Sequence, residues 1–286
     1  MSDSSEPGDS PTDGGPGNSA PAEAGAPELG EAEARARLGA LSRRGFLVAG
    51  AATVGALGVG RWLTAGASQE AGLAWPLRRA LLANEAITRV LVSPHRLAPT
   101  FSRAAIAPLR ANGDLGLDDE TEDDGWRVQL RGAAGFARAI DLGAIRALPR
   151  TEMTTEFKCI EGWSVVAHWA GARFADFARA FPPPTRSGRP FDPDQPDDAP
   201  PYVAMATPDG EYYVGLDAAS ALHPQTLLAW ELNDEALSPE HGAPLRLVIP
   251  VKYGVKNIKR IGLITWSNAR PSDYWHERGY DWFCGL

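Results

Sequence analysis

A single cysteine in a strand-like run constrains this chain more than any other feature. Cys159 is one of only two cysteines among 286 residues and lies in the sequence TTEFKCIEGWS, residues 154–164. β-Branched and aromatic residues lead up to it, and Gly162 and Trp163 follow, so the thiol is expected at the end of a β-strand. A thiolate there acts as a nucleophile or as a soft metal ligand. Taken alone, the residue is equally well read as a small buried hydrophobe.

The first 40 residues differ in composition from the rest of the chain. They are rich in Gly, Pro, Ser and Ala and carry eight acidic residues against two arginines. Such a stretch cannot bury enough apolar surface to offset the entropy lost on ordering, so residues 1–40 are expected to form a disordered acidic tail. The tail accounts for −6 of the net charge of −8, and nothing in the remaining chain indicates a nucleic-acid partner.

An export segment is predicted directly after the tail. Arg43 and Arg44 precede an apolar Gly/Ala/Val-rich run at residues 46–60, which is the twin-arginine pattern. The run has 15 residues, fewer than the roughly 20 that a membrane-spanning helix needs. Residues 41–67 are therefore expected to be a twin-arginine signal for the export machinery. That leaves residues 68–286 as the exported domain, periplasmic or on the outer face of the cytoplasmic membrane, and a buried Ala/Gly helix is the alternative reading of the run.

The exported part mixes short helical and strand-like patterns. Apolar spacing predicts helices at residues 71–92, 136–148 and 173–181. Asp209-Gly210 between two strand-like runs predicts a β-hairpin. Further strands are expected at residues 126–131, 227–232, 245–249 and 258–265. Few helices and no βαβ rhythm indicate a mixed, mainly β, α+β domain.

Two later segments carry side chains suited to an anion. His241 and Arg246 flank a Gly/Pro turn that leads into an apolar strand, an arrangement that holds two donors near one anion. In residues 252–260, four cations surround Gly254, which suits a phosphate bound through backbone N–H groups and ammonium charge. Solvated surface cations are the alternative reading of both segments.

Together these motifs resemble the sulfite oxidase-like molybdenum enzymes, and more narrowly the bacterial branch related to the periplasmic methionine sulfoxide reductase catalytic subunit. The resemblance is most specific at Cys159 and from His223 to Lys259. It implies the mainly β, mixed-sheet and barrel-like molybdopterin-binding fold of that family in a single domain. It also implies a molybdenum-molybdopterin cofactor, with tungsten as a possible replacement for the metal.

The resemblance assigns roles to individual residues. It makes Cys159 the thiolate ligand of the metal and the catalytic residue. It implies cofactor contacts for Thr207, His241, Arg246, Asn257, Ile258 and Lys259, and by a looser match for His95 and Arg96. His223 lies in a family-like segment without an assigned role, and Cys284 is left as a spare thiol.

The implied reaction is oxygen-atom transfer to or from a small-molecule substrate. No Cys-x-x-Cys-His haem motif occurs, so electrons are expected from a separate redox protein or a membrane donor. The sulfite-oxidising branch places an arginine shortly after the cysteine, whereas this chain has Glu161 and Trp163. Because a carboxylate repels sulfite, reduction of a neutral sulfoxide or N-oxide is the first expectation and sulfite oxidation the second.

Three other classes stay open on the residues alone. A Cys/His hydrolase would pair Cys159 with a histidine, although no nucleophile signature surrounds the cysteine. A zinc enzyme would need ligand spacing, and His276-Glu277 does not continue into a His-Glu-x-x-His motif. A non-catalytic exported binding protein would leave the basic residues 252–260 without a ligand.

The twin-arginine reading predicts that replacing both Arg43 and Arg44 by lysine leaves the protein in the cytoplasm with its cofactor inserted. The physical reason is that the export machinery reads the guanidinium pair, while cofactor insertion precedes export. Cell fractionation with metal analysis of each fraction measures this. Normal export of the double variant would contradict the reading.

Overall fold

The computed structural model describes the following residues: 53–55, 57–58, 69–70, 73–91, 96–117, 125–193 and 195–286. Contacts divide the chain into two compact units, Met1–Trp62 and Leu63–Leu286. In the first unit, residues 53–55 and 57–58 are helical. The predicted acidic tail, the twin-arginine motif and His95 lie outside the described residues. Of the helices in the described ranges, none has the length and apolar character needed to cross a membrane.

Strands form most of the second unit. They are β1 (Gln69–Glu70), β2 (Leu73–Ala74), β3 (Arg127–Arg131), β4 (Ala137–Asp141), β5 (Arg150–Lys158), β6 (Ser164–Arg173), β7 (Tyr202–Ala206), β8 (Tyr213–Asp217), β9 (Leu227–Leu232), β10 (Glu235–Ala236), β11 (Arg246–Val248) and β12 (Leu263–Ser267). The helices are α1 (Trp75–Leu91), α2 (Leu142–Arg146), α3 (Phe174–Ala180) and α4 (Ala218–Ala221). Single 3₁₀ turns occur at Arg103–Ala105, Ala133–Gly135, Pro196–Asp198, Pro239–His241, Gly254–Lys256 and His276–Arg278.

Two five-stranded sheets enclose the main core. The first has the order β10-β9-β6-β5, with β11 also paired to β9, and the second has the order β4-β3-β12-β7-β8. Apolar residues of both sheets and of α3 form one buried cluster that includes Leu130, Phe174, Met205, Leu228 and Trp266. The other face of the first sheet is apolar as well, with Trp169, Ala229 and Val248 packed under Leu109. The predicted mainly β, α+β architecture is confirmed, and its barrel-like character takes the form of mixed sheets that do not close.

Local patterns predicted most elements where the structure has them. The helix expected at residues 71–92 is α1, the helix at 173–181 is α3, and the Asp209-Gly210 turn joins β7 to β8. The helix expected at residues 136–148 is wrong over its first half, because β4 pairs there with β3. Only α2 is helical, and its start is set by Asp141, whose side chain accepts a hydrogen bond from the amide of Ala144.

A bulge fixes the register between two central strands of the first sheet. The pairing of β6 with β9 shifts between Ala170 and Gly171. A Cβ at Gly171 would lie 2.1 Å from the carbonyl oxygen of Leu228, so a side chain there is sterically excluded. The glycine therefore allows β9 to approach β6 closely, which in turn positions β11 and its arginine beside β9.

Two of the four cations in residues 252–260 fasten this loop to the rest of the fold. Lys252 donates through Nζ to the carbonyl oxygen of Phe283 at 2.9 Å, and Lys256 donates to the carbonyl oxygen of Gly215 at 3.0 Å and pairs with Asp273. Both lysine side chains are buried. The interpretation of all four cations as phosphate ligands is therefore wrong for these two, because their charges are used inside the protein. We call this set of contacts the lysine clasp.

Gly171→Ala is expected to destabilise the folded state by about 1–3 kcal/mol, since overpacking a rigid backbone contact has costs of that order. Gly125→Ala is the matched control, because a Cβ at Gly125 would meet nothing within 4 Å. The free energy of unfolding in urea measures both. Equal stability of the two variants would show that the bulge tolerates a side chain.

Lys256→Met is expected to cost about 3–5 kcal/mol, because it leaves the carboxylate of Asp273 buried without its cation. Lys158→Met is the control, since the Lys158–Glu156 pair is solvent-exposed and such pairs are worth about 0–1 kcal/mol. Adding Asp273→Asn to Lys256→Met should restore part of the loss by removing the buried charge. Urea unfolding decides, and similar values for the two methionine variants would remove the clasp as a stabilising element.

Candidate functional site

Cys159 opens the tight turn between β5 and β6, as the strand-end prediction required. Its amide donates to the carbonyl oxygen of Trp163 at 2.9 Å, and the amide of Gly162 donates back to the carbonyl oxygen of Cys159 at 3.1 Å. Gly162 has a φ of +90°, a left-handed conformation that glycine adopts without strain. The turn thereby holds the thiol rigidly, with the cysteine 8% exposed.

Residues 107–117, which we call the bridging segment, connect this turn to the other candidate residues. The segment is anchored by the amide of Ala107, which donates to the carbonyl oxygen of Val166 at 3.1 Å. The carbonyl oxygen of Leu109 lies 3.0 Å from Nε2 of His241. Farther along, the carbonyl oxygens of Asn112 and Gly113 accept hydrogen bonds from Nζ of Lys259 at 3.0 and 2.8 Å. His241 and Lys259, which are far from residues 107–117 in the sequence, therefore both contact the bridging segment.

Asn112 sits between the thiol and a carboxylate. Its Nδ2 lies 3.8 Å from Sγ of Cys159, which is hydrogen-bonding distance for sulfur. The indole N–H of Trp163 lies 3.0 Å from Oε2 of Glu161 and holds the pKa of that carboxyl below its usual range, with further contributions from Asn112 and Arg110. The ionised carboxylate of Glu161 is therefore a neighbour of the thiol, at the exposed side of the turn.

His241 and Arg246 are brought together, as the sequence predicted. Arg246 is buried and donates through Nη1 to the carbonyl oxygen of His241 at 2.8 Å and through Nη2 to that of Asn257 at 3.2 Å. Its guanidinium also stacks on the ring of Trp169, with 4.8 Å between the guanidinium carbon and the ring centroid. Burial lowers the pKa of Arg246 to about 10. Within the described residues, Nε of this arginine is buried without a hydrogen-bond partner.

Lys259 is the second destabilised cation of the site. Burial, together with the charge of Arg246, lowers the pKa of its ammonium group to about 8, although the carboxylates of Glu240 and Asp114 act in the opposite direction. The ammonium group has three donors, and the two contacts found among the described residues are to neutral carbonyl oxygens of the bridging segment. Lys259 is thus a half-buried cation held near another cation, an arrangement that a bound anion would stabilise.

The remaining predicted contacts serve the fold through their side chains. Oγ1 of Thr207 accepts from the amide of Tyr212 at 3.1 Å and donates to Asp209 within the hairpin turn. Asn257 accepts through Oδ1 from the amide of Ile249 at 2.8 Å and donates through Nδ2 to the carbonyl oxygen of Tyr253 at 3.2 Å. Ile258 is fully buried. A cofactor contact of Ile258 would therefore use its backbone.

Of the two looser predictions, Arg96 lies within the described residues. It is exposed, and its carbonyl oxygen lies 3.4 Å from Nε2 of His223. The amide of Gln225 donates to Nδ1 of His223, so the histidine carries its proton on Nε2 and donates to Arg96. Burial lowers the pKa of His223, which fits this neutral, structural form. His223, to which the sequence assigned no role, thus supports the chain around residue 96.

The rival sites lack their partners in the described part of the chain. His168 contacts Thr154 and Arg103, His241 contacts Ser238 and Leu109, and His276 contacts Arg78 and Tyr280. None of these contacts reaches the thiol of Cys159, as a Cys/His hydrolase requires. Within the described ranges, no group of three or more His, Cys, Asp or Glu is arranged to hold a metal. Both cysteines are free, and burial raises the pKa of Cys284 to about 12, which keeps this spare thiol protonated.

The site as built fits an anionic cofactor with a soft metal. An anion would pair with Arg246 and Lys259, whose hydrogen bonds among the described residues go to neutral carbonyl oxygens. The carboxylates of Glu240 and Asp114 act on the charge of Lys259 but do not restore its ordinary pKa. The unpartnered Nε of Arg246 offers a further donor. The thiol of Cys159, next to the amide of Asn112, offers the soft ligand. These three features match the donor set that a molybdenum-dithiolene with a phosphate requires.

Asn112 is the site residue that sequence reasoning missed. Asn112-Gly113 is a turn dipeptide, and this is the one local feature that marks it. Nothing in the pattern connects it to a cysteine 47 positions later, because that contact depends on the path of the bridging segment across the first sheet.

Comparison with known proteins identifies the family of this chain. The family model for the oxidoreductase molybdopterin binding domain matches residues 115–275, which is more than half of the chain. A putative protein-methionine-sulfoxide reductase subunit YedZ1 of Azospira oryzae is 33% identical over 205 residues, covering 71% of this chain and 73% of that protein.

Other relatives match over a shorter span. The protein-methionine-sulfoxide reductase catalytic subunits MsrP of Xanthomonas campestris and Campylobacter jejuni are 33% and 31% identical, covering 53% and 52% of this chain. The chain spans about half the length of these two, 48% and 52%. Among solved structures, the sulfane dehydrogenase SoxCD of Paracoccus pantotrophus matches with a TM-score of 0.43 and 16% identity, covering 53% of this chain and 40% of that one. With the family model and the Azospira relative, the chain belongs to the sulfite oxidase-like oxidoreductases with a molybdopterin-binding domain, and its cofactor is molybdenum-molybdopterin.

Proposed function

We propose that this chain is an exported molybdenum-dependent reductase for sulfoxides, with methionine sulfoxide as the first substrate to test. The observation that carries the proposal is the Cys159 thiol, held in a rigid turn beside Asn112 and Glu161. The names of the relatives, which are methionine-sulfoxide reductase subunits, support the same choice of substrate. A neutral N-oxide would fit the same surroundings.

The proposed cofactor contacts are assigned to individual residues of the site. We assign Cys159 as the metal ligand, because its thiol is the soft donor of the site. Arg246 and Lys259 are assigned to the phosphate of the cofactor, and His241 is kept as a cofactor contact whose carbonyl oxygen orients Arg246 and whose ring contacts the bridging segment at Leu109. Thr207, Asn257 and Ile258 would line the pterin. The bound cofactor would supply the oxygen-atom transfer itself.

The substrate side of the thiol is defined by three residues of the turn. Ile160 is 36% exposed, Trp163 is half-buried, and the carboxylate of Glu161 is tied to the Trp163 indole. An apolar wall favours the methyl and alkyl groups of a sulfoxide, while the ionised carboxylate repels a small anion such as sulfite. Asn112 donates into the same space and would bind a sulfoxide oxygen.

Sulfite oxidation remains the second candidate because of Arg110. This exposed arginine lies close enough to Glu161 to lower the pKa of its carboxyl. A cation near the thiol would reduce the repulsion of an anionic substrate. The carboxylate of Glu161 repels an anionic substrate and the guanidinium of Arg110 attracts it. A direct assay with each substrate therefore separates the two reactions.

The proposal also names the source of the electrons and the location of the protein. Electrons would come from a separate redox protein or a membrane donor, in line with the relatives being named as subunits. The twin-arginine motif at residues 43–44 would direct the folded, cofactor-loaded chain to the outer side of the cytoplasmic membrane. Arg96 and His95 are kept as weaker contact candidates from the family match.

The assay should show oxidation of a reduced viologen that depends on methionine sulfoxide in a peptide, and little reduction of a dye acceptor by sulfite. Cys159→Ser is expected to fold, to retain less than one metal per chain, and to lose activity, because a neutral hydroxyl is a poor ligand for a soft metal. Cys284→Ser is the matched control, since its thiol only donates to the carbonyl oxygen of Asp281. Rapid sulfite oxidation without sulfoxide reduction would reverse the order of the two candidates.

Lys259 predicts how anion binding depends on pH. With a pKa of about 8 in the empty site, its ammonium group is charged below pH 8 and neutral above it. Sulfate keeps its charge over this range, so its affinity for the cofactor-free chain should be constant below pH 8 and fall by up to about tenfold per pH unit above it. Calorimetric titration from pH 6 to about pH 10 measures this.

Two variants control the measurement. Lys259→Arg should keep sulfate affinity constant up to about pH 9, because the new guanidinium stays protonated there and Arg246, with a pKa of about 10, is still charged. Lys259→Ala should bind sulfate weakly at every pH. Wild-type affinity in the alanine variant would place the anion elsewhere.

A further inference from the structure

The polarity of α1 is reversed relative to that of an ordinary surface helix. A helix on a globular protein normally turns its apolar side chains inward and its charges outward. Among residues 75–88 of α1, whose side chains the structure describes, the buried residues are charged: Arg78 is 3% exposed and Glu85 is 6% exposed. Large apolar residues instead face outward, with Trp75, Leu82 and Ile87 exposed by 44%, 46% and 60%. The sequence spacing correctly predicted the helix, but not this orientation.

Polar contacts on the inner side fix this orientation. Nη1 of Arg78 lies 3.1 Å from Nδ1 of His276, and Nη2 of Arg270 donates to Oε2 of Glu85 at 2.9 Å. Gly285 packs directly against α1, since a Cβ there would lie 2.3 Å from Cγ2 of Thr88. Rotating α1 to bury its apolar residues would break both charged contacts. The outward apolar face is therefore a stable property of the fold.

The exposed face combines apolar surface with positive charge. Trp75, Arg79 and Leu82 are separated by four and three positions, so they follow one another on the same side of the helix. The guanidinium carbon of Arg79 lies 4.8 Å from the centroid of the Trp75 ring. Around them is an open hollow of about 390 Å³, lined by Trp75, Arg78, Arg79, Leu82 and Ala83. The lining contains the exposed guanidinium of Arg79 and no carboxylate, while Arg78 and the one acid of α1, Glu85, are turned inward.

We propose that α1 lies in the headgroup layer of a membrane that contains anionic lipids. A helix with Trp and Leu on an apolar side and arginines beside them is suited to this position, because the indole and the apolar chains enter the acyl boundary while guanidinium groups meet lipid phosphates. The hollow beside Trp75 would accept part of an acyl chain. This proposal rests on α1 alone and does not depend on the reaction of the site.

A lipid surface fits this face better than a protein partner does. A helix of 17 residues is about 25 Å long and about 10 Å wide. One face of that size offers roughly 250 Å², well below the roughly 800 Å² that each partner buries in a stable protein interface. Membrane insertion has no such threshold, since it depends on each buried apolar group and each cation near the surface.

The test uses the full chain with a fluorescent bimane label at one introduced cysteine. Ile87→Cys reports on the apolar face of α1, and Leu97→Cys is the matched control, because Leu97 is equally exposed at 58% but lies beyond α1. Both native cysteines are buried and remain in place. Labelled protein is mixed with phosphatidylcholine vesicles whose chains are brominated, with or without phosphatidylglycerol.

Contact with the acyl chains should quench the label at residue 87, more strongly with phosphatidylglycerol, and leave the label at residue 97 unchanged. Arg79→Gln should lose the added quenching that phosphatidylglycerol gives, and Arg79→Lys should keep it. Because the readout is local, binding of the chain through residues 46–60 alone would leave both labels unquenched and would overturn the proposal. Protection of residue 87 from iodide without vesicles would overturn it as well, since another part of the chain or a second copy would then cover the face.

Discussion

The buried ion pair between Lys256 and Asp273 decides where the loop of residues 252–260 lies. Both side chains are almost fully buried, and the carboxylate also accepts from the amide of Gly215. Lys252 repeats the arrangement on the carbonyl oxygen of Phe283. Because these contacts tie residues 252–256 to β8 and to the C-terminal segment, the following residues emerge at a fixed position. Lys259 thereby meets the bridging segment.

Charge in this protein is used in two opposite ways. In the lysine clasp, each cation has an anion or a carbonyl oxygen as its partner, and the pair stabilises the fold. In the site, Arg246 and Lys259 have only neutral acceptors among the described residues, and burial lowers the pKa of both. Keeping two such cations close together costs stability, and an anion bound beside them would offset that cost. With the proposed assignment of both residues to the cofactor phosphate, cofactor binding and folding would be coupled through them.

The C-terminal segment, residues 270–285, contacts both the loop that leads to Lys259 and helix α1. Phe283 and Asp273 hold the loop that leads to Lys259, while Arg270, His276 and Gly285 hold α1. The loop of residues 252–260 and the proposed membrane-facing helix α1 thus pack against the same C-terminal segment. A reductase supplied with electrons from a membrane donor gains from this arrangement, because the helix would orient the site relative to the bilayer without contributing to the chemistry.

Local pattern determined much of this protein. The spacing of apolar residues predicted α1 and α3, Asp209-Gly210 predicted the β7–β8 hairpin, and the motif around Cys159 predicted both a strand end and the family. Tertiary structure alone decided which cations are structural, because Lys256 and Lys259 are three positions apart and find partners 17 and 147 positions away. It likewise decided that Asn112 adjoins the thiol and that α1 turns its charges inward. A local pattern records which side chains share a face of an element, but long-range packing determines what that face meets.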